Sequence, residues 1–326
     1  VPLNEDLLDA AIAGQVDLLA YGNSIDRELR EIMREEDEAL VALIILLLTR
    51  SGVAQEGNVF TAQQRRRVNE ALAEINERTR ESMRRVQAVV DRAVSDLIEA
   101  ESEGESDALK AALIAALGAG VAFTPLAGQI SVRLQPAHGK TTAEWATSLL
   151  NSRFAGIKSE IRRGLIEGRS ITSIWRSVVN GPLRRSSRDI DAVTRTLLAH
   201  ARSQVKEALY KINPFIKRVL WVSVLDSKTT PICRSLSGRI FRVGEGPRPP
   251  MHLRCRSEVV PFRGDPPDLP TYNDWIRRQS VAMQNRILGP TRAKAFRRDP
   301  SLTMGSFVNR EGNLLTIDQL RGRKVV

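Results

Sequence analysis

A predominantly α-helical α+β fold is predicted, and three observations predict it. From Ile25 to about Ser102, apolar residues recur at three- and four-residue steps, the signature of amphipathic helices. Residues 219–262 change texture, with three short β-branched runs separated by turn residues. Helical patterning then returns from Tyr272 to about Arg297. At 326 residues the chain exceeds the ~250–300 at which a single core stops growing, so more than one domain is expected.

Taken in order, Ile25 to Arg50 opens with charged turns and ends in the apolar run Leu40–Leu48, with Gly52 as a stop signal. Nine apolar residues fall far short of the ~20 needed to span a bilayer. After a short polar loop, Thr61 followed by Gln64 forms a capping-box signature. The helix it opens carries Val68, Leu72, Ile75, Met83, Val86, Val90 and Leu97 along one seam, interrupted by Thr79. An acidic break, ESEGESD at 101–107, precedes the weakly polar stretch 108–128, which reads as a closely packed buried helix; membrane contact is the minority alternative.

Residues 142–180 read as helices broken near Gly164 and Gly168, followed by the loop NGPLRR. Asp189 to Ile212 is helical, with Ile190, Val193, Leu197, Val205, Leu209 and Ile212 on the inner side and Arg195, Arg202, Lys206 and Lys211 on the exposed side. Strands are expected at 219–226, 239–243 and 257–262, closed by the linker GDPPDLP at 264–270. The chain thus divides into an acidic helical region at 1–105, an apolar helix and linker at 106–140, a basic α+β core at 141–265 and a helical tail at 266–326.

Composition narrows the function classes. Two cysteines exclude a disulfide-dense scaffold, and three histidines a histidine-rich metalloenzyme. Aromatic content of 5% supplies a base-stacking surface poorly. The opening VPLNEDLLDA is acidic and lacks the order of a signal peptide. Net charge is +11, but residues 1–130 carry −10 and residues 131–326 carry +21. Such asymmetry suits a chain that faces two surroundings, one of them polyanionic. Arg184, Arg185, Arg195, Arg202, Arg254, Arg256, Arg277, Arg278, Arg297 and Arg298 are the candidate contacts to nucleic-acid phosphate. The competing reading pairs these arginines with acidic protein faces.

The chemistry-bearing residues cluster at 221–262. Cys233, His252 and Cys255, with Asp226 as a fourth, are candidate metal ligands, and His252-x2-Cys255 has the spacing of a zinc half-site. The other half-site is incomplete, because Thr230 stands where C-x2-C would place its first sulfur. A metal-free packed cluster, a structural zinc, a catalytic metal and a Cys233–Cys255 disulfide all remain open at this level.

The pattern W-x4-D-x2-T-x3-C-x4-G, then P-x-H-x2-C-R, is met by Trp221, Asp226, Thr229, Cys233, Gly238, Pro250, His252, Cys255 and Arg256. It resembles that of the Mu F-like phage minor head (head morphogenesis) proteins. The preceding helix VTRTLLAHARSQVKEAL is similar to the one that leads into that family's core. The ending LG-x2-R … F-V … G-x-x-L-T-x-x-x-L within 286–320 also resembles that of many members. The resemblance implies a structural, non-enzymatic minor head protein of a tailed bacteriophage, present in several copies. It would reside inside the capsid near the portal vertex after assembly in the host cytoplasm. Its expected partners are the portal, the major capsid or scaffolding protein, and genomic double-stranded DNA. Residues 1–105 would be the docking region. The rival classes are a membrane-active DNA-ejection protein and a metal-dependent nuclease using His252 with Asp226.

Overall fold

A computed structural model of the chain describes residues 2–52, 61–117, 123–126, 137–262, 271–309 and 313–325. The fold is predominantly α-helical α+β. It forms two compact units: one contains Val1–Leu18, Leu97–Leu134 and Ala199–Val326, the other Leu19–Asp96 and Gln135–Leu198. These units interleave along the chain and do not coincide with the four blocks delimited by composition.

The second unit holds the main part of α1 (Pro2–Arg50) and of α2 (Ala62–Leu117), with α3 (Thr142–Ile166), α4 (Ile171–Val178), a π-helical turn at Val179–Leu183 and the start of α5 (Arg184–Ile212). The capping box at the head of α2 is formed: Gln64 N–H donates to Thr61 Oγ1 at 3.1 Å and Thr61 N–H to Gln64 Oε1 at 3.0 Å. All seven seam residues of α2 are buried. The interrupting Thr79 is buried too, because its hydroxyl donates to the Ile75 carbonyl at 2.7 Å and is thereby satisfied within the helix. From α1, Leu40, Ile44 and Leu48 join Ile75, Ile157, Ile161, Ile174 and Val178 in one core.

Two expectations are corrected here. The segment NGPLRR is not a loop. Its Pro182 sits inside the π-helical turn, where α3 comes close: a Cβ on Gly156 would lie 2.9 Å from Pro182 Cβ. The acidic stretch 101–107 does not break α2, which runs on to Leu117. Ser102 and Ser106 hydroxyls donate to the Ile98 and Ser102 carbonyls at 2.5 and 2.6 Å, so the polar run satisfies itself within the helix.

The first unit is organised on a three-stranded antiparallel sheet of order β2-β1-β3, with β1 at Arg218–Val222, β2 at Ile240–Arg242 and β3 at Glu258–Phe262. All three expected strands are present. Trp221 on β1 is fully buried among Val205, Leu209, Tyr210, Val259 and Leu236, with Leu109 and Leu126 in the same cluster. Residues 118–122 and 127–128 of the apolar stretch lie outside the described residues, as do residues 53–60 and the linker at 264–270. Among the described residues no helix is long and apolar enough to cross a membrane.

The C-terminal helices α7 (Tyr272–Arg277), α8 (Val281–Leu288), α9 (Pro290–Arg298) and α10 (Ile317–Gly322) enclose a separate cluster around Phe296, Phe307 and Leu320. Between β1 and β2 lies α6 (Pro231–Leu236), which carries Cys233. The ending motif has a mechanical role. Arg292 donates to the Leu315 carbonyl at 2.5 Å, Leu315 N–H to the Phe307 carbonyl at 2.9 Å, and Thr316 caps α10.

Candidate metal centre

Short local devices bring the cysteines and histidine together. Cys233 sits in the first turns of α6, which begins with Pro231 at a position where a missing N–H costs nothing. His252 and Cys255 flank a tight turn closed by Cys255 N–H donating to the His252 carbonyl at 3.1 Å, with Arg254 in the left-handed region at φ 58°. Both cysteines are buried in the core that holds Trp221. Ser223 fastens the surroundings: its hydroxyl receives the Trp221 indole N–H at 2.9 Å and donates to the Cys233 carbonyl at 2.8 Å.

The ligand atoms of Cys233, His252 and Cys255 lie within 4.8 Å of one another and could hold a metal ion. Cys233 Sγ is 3.6 Å from Cys255 Sγ and 3.2 Å from His252 Nε2. His252 Nδ1 is 2.8 Å from the Leu253 carbonyl, which as a pure acceptor fixes the ring proton on Nδ1 and turns the Nε2 lone pair to the sulfurs. The two thiols share the burden of burial unequally. Hydrogen bonding to Cys255, then burial, pushes the Cys233 thiol up, whereas the bond from Cys233 draws Cys255 down to about 4 against the effect of burial. Burial depresses His252, but its hydrogen bonds to the Cys255 sulfur and the Leu253 carbonyl, with the charge on Cys255, together outweigh this and leave it above its ordinary value. A pair of sulfurs with one imidazole is a donor set that suits a borderline-soft divalent ion such as zinc.

Asp226, the fourth candidate, is not in this group. Arg256 forks onto its carboxylate at 2.7 and 2.8 Å, and the Lys228 and Thr229 N–H groups both reach Oδ1 at 2.9 Å. The Arg256 hydrogen bond holds its carboxyl down at about 2. Its stabilising contribution is therefore complete above the ordinary value of 3.8 and is lost as pH falls through about 2. Thermal unfolding between pH 5 and pH 2 should show this acid loss in the parent and not in Asp226→Asn; parallel profiles would refute the assignment.

The arginines divide into structural and exposed groups. Arg202 and Lys206, expected on the outer side of α5, are buried at 3% and 2% exposure and pair with Glu101 and Glu258. The apolar spacing of α5 did not reveal that β3 covers this side with a carboxylate. Arg195 pairs with Asp191 and Arg256 with Asp226. Arg277 donates to the carbonyls of Phe296, Pro300 and Leu302 and stacks 3.9 Å over the Phe296 ring. Arg184, Arg185, Arg254, Arg278, Arg297 and Arg298 are exposed. Two buried arginines, Arg153 and Arg234, escaped the sequence reading; Arg234 donates to the Ile287 and Ser227 carbonyls and faces the Tyr272 ring.

The geometry gives most residues of the 221–256 pattern a physical role. Trp221 fills the core, Asp226 clasps Arg256, and Thr229 donates its hydroxyl to the Val224 carbonyl at 2.5 Å. Gly238, at φ 80°, leaves room for Thr271, whose Cγ2 would lie 2.6 Å from a Cβ. Residues 155–260 match the family model described as Phage Mu protein F like protein. This segment is Mu F-like. The match covers about a third of the chain and agrees with the pattern that ends at Arg256. No curated protein and no solved structure matches the chain.

Proposed function

We propose that this chain is a structural minor head protein of a tailed bacteriophage, bound to the portal inside the capsid and serving assembly, genome packaging or ejection. The carrying observation is that residues 155–260 match the Mu F-like model and that most of the motif residues at 221–256 within them are committed to packing, hydrogen bonding or ion pairing. The acidic N-terminal helices would meet portal, capsid or scaffolding subunits, offering exposed Ile45 and Leu46 beside their charges. The exposed cations of α7 to α9 would meet DNA phosphate without reading sequence, since residues 271–326 hold 11 Lys and Arg against four Asp and Glu.

The test is the protein content of purified particles. Quantitative mass spectrometry should find the chain in DNA-filled heads at a fixed, low ratio to the portal. A chain carrying Lys294→Gln, Arg297→Gln and Arg298→Gln should enter heads yet bind unrelated duplexes more weakly, with a shallower salt dependence. Particles lacking the chain would overturn the structural reading, as would plasmid cleavage that His252→Ala abolishes. Duplex binding unchanged by the triple substitution would overturn the phosphate assignment.

A further inference from the structure

Thr230 is the N-cap residue of α6, a position where a threonine side chain ordinarily accepts a backbone N–H. Here it makes no such bond. Its Oγ1 is buried and faces the Cys233 thiol, a weak hydrogen-bonding partner, with no oxygen or nitrogen partner beside it. A buried hydroxyl served only by a weak thiol partner forgoes part of the roughly 1–3 kcal/mol at stake in full pairing, so this oxygen is poised to take a stronger one. It stands three residues before Cys233, as His252 stands three before Cys255. The two half-sites are therefore alike in spacing, with an oxygen where the first sulfur of a C-x2-C pair would be.

The spacing of the other three donors answers the same question. Zinc bonds of ~2.3 Å to sulfur and ~2.0–2.1 Å to nitrogen in a tetrahedron place two sulfurs about 3.8 Å apart, and a sulfur and a nitrogen about 3.6 Å apart. The sulfurs are 3.6 Å apart, and Cys233 Sγ is 3.2 Å from His252 Nε2, so these two pairs need to spread by only a few tenths of an ångström to admit the ion. Two supports that metal ligands need are already present: the Leu253 carbonyl orients the imidazole, and the backbone N–H groups of Ser257 and Met251 point at the Cys255 sulfur.

We propose that Cys233, His252 and Cys255 bind one zinc ion through three protein donors, and that the fourth position is held by a water anchored on Thr230 Oγ1. The site is a clip between α6 and the turn before β3, weaker than a four-ligand cage and open to exchange at its oxygen corner. Because the carboxylate of Asp226 is taken by Arg256, the site has no carboxylate among the described residues to act on the water as a base. This inference does not depend on the assignment to a phage head.

The full chain, kept reduced, stripped with a chelator and dialysed, is titrated with Zn2+ and separately with Co2+. One equivalent of zinc should remain bound by metal analysis and raise the melting temperature. Co2+ should give the intense visible bands of a four-coordinate ion and near-ultraviolet thiolate charge transfer. Thr230→Val should retain zinc with affinity lowered by about tenfold, as expected for loss of an outer partner. Thr230→Cys should tighten zinc by at least about tenfold and increase the charge-transfer intensity through a third thiolate. Absence of bound zinc in the folded parent overturns the site. An unchanged Co2+ charge-transfer band in folded Thr230→Cys overturns the place given to residue 230, and an unchanged zinc affinity in Thr230→Val overturns the anchored water.

Discussion

Glu258→Ala is expected to destabilise the sheet-bearing unit by about 3–5 kcal/mol, the range for removing one partner of a buried ion pair. Glu258 opens β3 at 6% exposure, and both Arg202 and Lys206 of α5 converge on it. Alanine would remove the carboxylate on which both cations converge, while Arg202 keeps Glu101. The loss should be visible as a lowered urea midpoint with an unchanged slope. Replacing Lys206 by methionine together with Glu258 by leucine should recover much of it, because two charges then leave the interior together. If Glu258→Ala unfolded at the parent's midpoint, the cluster would be a minor contributor to stability.

Arg153→Met should be nearly as costly, at about 3 kcal/mol near neutral pH. The Arg153 side chain is fully buried in the helical unit, where it pairs with Asp37 and donates to Ser186 Oγ at 3.1 Å. Burial already raises the Asp37 carboxyl above its ordinary 3.8, and Arg153 is the group that opposes this. Without the guanidinium the folded state would hold a proton on Asp37 more readily than the unfolded state does. Its stabilising effect is full below 3.8 and disappears as pH rises through the raised folded value. The deficit of Arg153→Met should therefore shrink on acidification, as read by urea midpoints at pH 3.5 and pH 7. A deficit independent of pH would show that packing, not charge, governs the site.

What the amino-acid order revealed was periodicity and local chemistry. The seam from Val68 to Leu97, the Thr61 cap, three strands and the Cys233–His252–Cys255 grouping were legible because each depends on neighbours a few residues away. What it concealed were long-range pairings. Lys206 looks solvated on a helical wheel until Glu258, 52 residues later, is laid over it. The acidic run at 101–107 resembles punctuation, yet its serines bond back within the helix and Ser106 Oγ also receives the Leu126 N–H at 3.1 Å. Asp226 has the right chemistry for a metal, and only the fold shows that an arginine 30 residues away occupies it.

The buried guanidinium of Arg234 bears on how this polypeptide can be dissected. It reaches from α6 to the Ile287 carbonyl in the C-terminal cluster, while Tyr272 sends its hydroxyl back to the Asp226 carbonyl at 2.5 Å. Leu109 and Leu126, upstream of the matched region, close the other side of the Trp221 core. The borders of recognisable ancestry at 155 and 260 are therefore not seams at which the molecule can be cut. A fragment trimmed to them would be stranded with an orphaned cation and an uncovered tryptophan, so excision or grafting must carry flanking chain from both directions.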